Sequence, residues 1–304
     1  MTQILLTTDF FNMYIGYEIL LCGVIFCLIK SNCIAWKLYF KVQMLASCII
    51  FLGCCFFYMS NGNLLLTCST KSYVPYVMLI GFLMKAAIFP LGLWIKIYRT
   101  IDDDIVFWVA GLITKIAVYS IIRLLPCLYG VHILQTIVSV SALAGAILAY
   151  QSYDDKEILS FHIISQVSLI ICIAIFEFKI NQFYYLTLIY LMHHIWTKSS
   201  LFLLYKMKKS LLCKYAIFSL VGVPITPGFI SKMLTLFYMI KYNDVFSSIV
   251  LLCTSVLTTC SMEKFMNKVG IEEYDSNKLR VSLVSLLFCY TFITILGYRL
   301  LHVQ

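Results

Sequence analysis

Charge is scarce in this chain. Of its 304 residues only 12% are Asp, Glu, Lys or Arg, while 62% are hydrophobic. Soluble domains carry about 25% charged residues, so a soluble globular class is excluded and an integral membrane protein is indicated. Proline is rare too: there are five, and Pro90, Pro224 and Pro227 fall inside apolar runs. The longest connection, 262–280, reads as a polar loop, which leaves no room for a soluble domain. No CxxC spacing occurs among the thirteen cysteines. Most of them sit inside apolar runs and read as small packing residues rather than metal ligands or disulfides. The chain opens directly into a span containing Glu18, so no cleavable signal peptide is expected. The net charge of +9 does not point to nucleic acid, because the basic residues lie between apolar segments and form no patch or arm.

What the chain does have is a series of long apolar runs. A helix needs about 20 residues to cross a ~30 Å hydrocarbon core. That length is met at 10–29, 38–58, 75–95, 105–125, 131–150, 159–177, 183–205, 212–240, 245–261 and 281–301. The eighth is long and interrupted by GVPITPG, which predicts two half-helices. The expectation is an all-α polytopic membrane protein of about ten transmembrane helices, two of them broken, in a single transmembrane domain over 1–304. Loops 30–41, 96–104, 151–158, 206–214 and 262–280 hold fourteen Lys and Arg, against five on the alternate side. The positive-inside rule makes the basic face cytoplasmic, or the matrix in an organelle, with both termini opposite.

Nineteen of the 23 basic residues are thereby loop charges. The remaining four, Lys85, Lys115, Lys198 and Lys232, lie within spans. A charge at the bilayer centre costs at least ~3 kcal/mol, so such residues usually face a polar interior and do work. Snorkelling is the competing reading, but Lys85 and Lys115 each sit ten residues into their segments. Glu18 is also mid-span. As a lone buried carboxylate it would take up a proton and pack; beside Lys85 it would stay charged. His194 and Lys198 are i,i+4 on one helix face, a spacing suited to a proton relay, while His193 points elsewhere. A metal site at the two adjacent histidines lacks a third ligand. His162, near Ser165 and Gln166, reads either as a relay group or as a hydrogen-bonded structural histidine. Lys85 lies five residues before Pro90, and Lys232 five after Pro227. Carbonyls freed at such breaks must line a cavity or face other protein, since lipid cannot satisfy them.

Six stretches, in order, resemble the antiporter-like family shared by respiratory complex I and the Mrp-type multisubunit cation/proton antiporters. DFFNMYIGYEILL is similar to the family's glutamate helix, which implies a role for Glu18. FLMKAAIFPLGLW resembles the K-x-x-x-x-P-L-x-x-W segment and places the buried lysine of the first half-channel on Lys85. AGLITKIAVYSIIRL looks like the helix of the connecting lysine, here Lys115. DDKEILSFHIISQ carries His162, a residue that favours the Mrp D-type branch. LMHHIWTKSSLFL implies His194 and Lys198, and VGVPITPGFISK implies Lys232 as the terminal residue of the second half-channel.

The likeness covers about residues 8–240 and leaves two further helices over 245–301. It implies a proton-translocating subunit of a Na+/H+ antiporter, with no covalent catalysis, no metal and no redox cofactor. The implied partners are other membrane subunits, protons and Na+, in a bacterial inner membrane or alternatively a mitochondrial one. The chain starts at the glutamate helix, shorter than family members. A separate chain is therefore expected to supply the missing N-terminal helices, or else the chain is a decayed remnant. Gly92 stands where the family has a histidine. Two other functions remain open: a proton-pumping membrane-arm subunit of NADH:quinone oxidoreductase, and a non-conducting structural or assembly subunit.

Overall fold

Apolar backbone that meets no water must satisfy its own hydrogen bonds, and helices do this within one segment. The structure, a computed structural model, describes residues 2–31, 33–65, 72–206 and 210–268. Its regular elements among these residues are all helices, with two isolated bridges, Asp9 with Leu65 and Ser72 with Leu128. The helices are α1 (Thr2–Leu6), α2 (Phe10–Lys30), α3 (Trp36–Asn61) and α4 (Pro75–Lys85), followed by a 3-10 helix over Leu91–Arg99. Next come α5 (Asp103–Trp108), a π-helical turn over Val109–Ile113, and α6 (Thr114–Leu124). The rest are α7 (Val131–Gln151), α8 (Asp155–Lys179), α9 (Tyr185–Lys206), α10 (Ser210–Val221), α11 (Pro227–Lys241) and α12 (Val245–Lys268). Local sequence sets several of the ends. Asp9 accepts from Asn12 N at 2.7 Å and Asp154 from Lys156 N at 3.1 Å, as side-chain N-caps do.

Six helices among the described residues are long and apolar enough to cross a membrane. They include Phe10–Lys30, Trp36–Asn61, a continuous Asp103–Cys127, and Val131–Gln151. α9 is also 22 residues long, but His193, His194 and Lys198 interrupt its apolar character. The expected spans 75–95 and 212–240 are each two half-helices, and 281–301 lies outside the described residues.

α8 is the hub. Every residue from Ile158 to Glu177 is buried, and α6, α7, α9, α12 and the 3-10 helix all pack on it. A helix covered on all sides by protein can carry polar groups that lipid would not tolerate, and α8 holds His162, Ser165, Gln166, Ser168 and Cys172. Its last turn does a second job. Glu177, buried, accepts from Leu186 N at 2.8 Å, Thr187 N at 2.9 Å and Thr187 Oγ1 at 2.5 Å. It thereby caps the first turn of α9 from a neighbouring helix.

One cysteine departs from the packing reading: Cys127 is disulfide-bonded. It ends the α6 segment on the face expected to lie away from the basic loops, where disulfides persist. The other described cysteines are free.

Candidate functional site

The four lysines singled out by the sequence are all inside the protein. Lys85 and Lys115 are 3% exposed, Lys198 0% and Lys232 8%, which rules out snorkelling for each. Each has found an uncharged oxygen.

Lys85 closes α4, and its Nζ donates to Ser47 Oγ at 2.9 Å while lying 5.0 Å from the Tyr17 ring centroid. Glu18 acts on Lys85 through space, but no direct ion pair joins them, and Glu18 Oε1 is buried without a hydrogen-bond partner among the described residues. The helix stops right after Lys85, before Pro90. Trp94 Nε1 donates to Met84 O at 2.9 Å and Phe89 N to Ser141 Oγ at 2.9 Å, so the break faces protein. Gly92 is required there, because a Cβ would lie 2.1 Å from the Ala87 carbonyl. A histidine could not occupy this position without moving the backbone.

Lys115 follows the π turn, and its Nζ donates to the carbonyl of Ala110 within that turn. A π turn shifts the backbone ladder out of α register and frees carbonyls for side chains, a feature often found at functional sites. Lys198, on α9, donates to Leu159 O of α8 at 3.0 Å, not to His194. Lys115 and Lys198 interact electrostatically, and both act on His194. The His162 and His194 rings stack with centroids 6.4 Å apart and an interplanar angle of 9°. All four of their ring nitrogens are buried and without a hydrogen-bond partner among the described residues.

Lys232, on α11, donates to Leu220 O at 2.9 Å and Val221 O at 2.8 Å. These are the carbonyls freed where α10 ends, so the lysine itself satisfies the break. Pro227 opens α11 at its first turn, where a missing N–H costs nothing. Gly228 lets the half-helices touch, since a Cβ would lie 1.7 Å from Ser219 O.

The sequence thus located the lysines and the breaks, while several participants escaped it. His193 bonds Ser219 Oγ at 3.0 Å, and its field couples it to Lys232 and His162. Tyr17 reaches from the Lys85 site to Ser120 Oγ on the Lys115 helix at 2.7 Å. Among the described residues no group of three or more His, Cys, Asp or Glu could hold a metal ion.

The D-type subunit of a Na(+)/H(+) antiporter from Alkalihalophilus pseudofirmus is similar to this chain, with 27% identity over 85% of this chain and 61% of the relative. This chain therefore spans less than two thirds of that relative's length. In fold it resembles a chain of the Mrp complex from Dietzia sp., with a TM-score of 0.81 and 23% identity over 90% of this chain and 59% of that one. It also resembles a chain of respiratory complex I from Thermus thermophilus, with a TM-score of 0.79 and 18% identity, covering 96% of this chain and 73% of that one. The family described as NADH:quinone oxidoreductase/Mrp antiporter, transmembrane, matches residues 7–210. Two thirds of the sequence, including the helices that carry Glu18, Lys85, Lys115, His162 and Lys198, therefore lie within the match, and the chain belongs to this family.

Proposed function

We propose that the chain is a proton-translocating subunit of a multisubunit Na+/H+ antiporter in a bacterial inner membrane, working with other membrane subunits. The ten-span arrangement over 1–304 and the site residues Glu18, Lys85, Lys115, His162, His194, Lys198 and Lys232 are part of this reading. One observation carries it: Lys115, His194, His162, His193 and Lys232 are all buried, and each lies near enough to the next to act on it electrostatically. Structural lysines in a membrane protein do not need such a file. Tyr17, between Lys85 and Ser120, extends it toward Glu18.

The mechanism is electrostatic. In a dry interior two ammonium groups oppose one another, so a proton arriving at Lys115 changes the readiness of Lys198 and His194 to hold theirs. Each lysine has a neutral oxygen to rest on, which lets it lose or gain a proton without breaking an ion pair. Proton arrival at one end then drives release at the other, and the assembled complex couples this to Na+.

The test is Lys85→Ala combined with Lys115→Ala in the assembled complex. Loss of cation/proton exchange with normal assembly supports the relay; unchanged exchange removes it. Co-purification separates the machines. Recovery with antiporter subunits fits this reading, whereas recovery with redox subunits would assign the chain to NADH:quinone oxidoreductase.

A further inference from the structure

A second polar file runs along α8, away from the lysine series. We propose that α7, α8 and α12 frame a hydrated proton route from the face opposite the basic loops, past Cys172 and Ser168, to His162. The inference rests on the proton-translocation reading and adds where one side of the membrane gains access to the relay.

Lys179, Cys172, Ser168, Ser165 and His162 are spaced by seven, four, three and three residues, which keeps them on one side of α8. They extend about 25 Å along its axis. At the mouth, Lys179 Nζ donates to Gln135 Oε1 and lies 3.0 Å from His132 Nδ1. His132 and Lys179 also line a cavity of about 290 Å³ that opens at this end. Gln135 Nε2 in turn donates to Ser247 Oγ at 2.8 Å and to Asp244 Oδ2 at 3.3 Å.

Two turns deeper, Cys172 Sγ donates to Ser247 Oγ at 3.5 Å and lies 3.8 Å from Ser139 Oγ. One further turn in, Ser168 Oγ meets Ser141 Oγ at 2.7 Å, and Ser141 accepts from Phe89 N in the broken helix. Beyond it the described residues supply no partners: Ser165 Oγ and both nitrogens of His162 are fully buried and unmatched.

Buried polar groups are matched by protein or by water, and an inner end with three unmatched atoms selects water. From Cys172 to His162 successive polar groups along α8 are about one turn apart, roughly 5 Å, a gap that one water bridges, while Gln135 and Ser247 link Lys179 to Cys172 across the two-turn interval at the mouth. The lining of hydroxyls, a thiol and one amide suits water and a hopping proton. Among the described residues it offers no cluster of three or more acidic, imidazole or thiol ligands to strip the shell from a metal cation.

Cys172 is a built-in probe of this route. Silver ion, close in size to water, is added to the outer side of sealed vesicles holding the complete assembly. Free thiols are then labelled after denaturation, and each cysteine peptide is quantified. Cys54 and Cys213, buried away from the file, report any loosening of the fold. The expected result is silver protection of Cys172 at least ~10-fold faster than of Cys54 or Cys213, slowed several-fold by Gln135→Leu. Protection of Cys172 no faster than these controls, or only from the basic face, overturns the proposal. So does an unaltered rate in Gln135→Leu. Water access is read here without transport, so a failure of the antiporter reading would leave this result standing, and the reverse.

Discussion

His162 of α8 and His194 of α9 face each other as parallel rings, 6.4 Å between centroids, with no hydrogen bond to any of their four nitrogens among the described residues. Leaving a buried polar group unmatched costs about 1–3 kcal/mol, so two whole imidazoles kept this way are an expensive arrangement unless water and protons use them. Lys115 and Lys198 both act on His194, which places the pair at the centre of the charged file.

If the rings pass protons, His162→Gln or His194→Gln in the assembled complex should cut proton-coupled exchange on the order of 100-fold while the complex still assembles. The double variant should be hardly worse than either single one, as for groups that act as a unit. Exchange is read from the collapse of a pH gradient in vesicles. Additive losses would mean two independent roles.

Removing Lys232 should cost stability as well as transport. Lys232→Met keeps the stem but leaves Leu220 O and Val221 O without their donor, at about 1–3 kcal/mol for each carbonyl. Thermal unfolding of the purified protein in detergent should show a clear fall in midpoint. An unshifted midpoint would mean that water already serves those carbonyls. By contrast, Arg99 bridges Asp154 at 2.7 Å from a side chain 58% exposed. Arg99→Ala should therefore change stability by only about 0–1 kcal/mol.

Glycine positions give a sharper contrast. Gly228→Ala would put a methyl 1.7 Å from Ser219 O and push α10 and α11 apart, whereas Gly23→Ala meets nothing within 4 Å. Expression and midpoint should collapse for the first and hold or rise slightly for the second, whose helix gains propensity. Equal behaviour of the two would contradict the close approach of the half-helices.

Glu177 is predicted to hold α9 at its first turn. Glu177→Gln keeps the shape but replaces one acceptor oxygen by a donor, which cannot serve both Leu186 N and Thr187 N. Hydrogen exchange at those two amides should rise about 10-fold or more. Unchanged exchange would show that the cap is not needed.

The sequence was informative where a signal is local and rare. A lysine within an apolar run, or prolines with glycines within a span, stands out in one dimension, and the structure has Lys85, Lys115, Lys198 and Lys232 buried and both spans broken. What it could not convey was main-chain chemistry. Ala110, Leu159, Leu220 and Val221 take part through their carbonyls, which leave no trace in residue identity. Long-range partners were equally hidden: Tyr17 and Ser120 are 103 residues apart, and Lys85 and Ser47 are 38 apart. Glu177 read as the polar end of a span because only the fold brings the α9 amides to it. Glu18 with Lys85 shows the opposite error, since the obvious pair of charges does not make an ion pair.

The central claim is that protons cross by way of the buried file, and Lys198, which acts on its member His194, is fully buried with Leu159 O as its partner. The direct test is proton-coupled cation exchange by the assembled complex carrying Lys198→Met, with co-purification of its partner subunits as the assembly control. The account predicts an intact assembly with exchange reduced by at least ~100-fold. Wild-type exchange from that same intact assembly would contradict it.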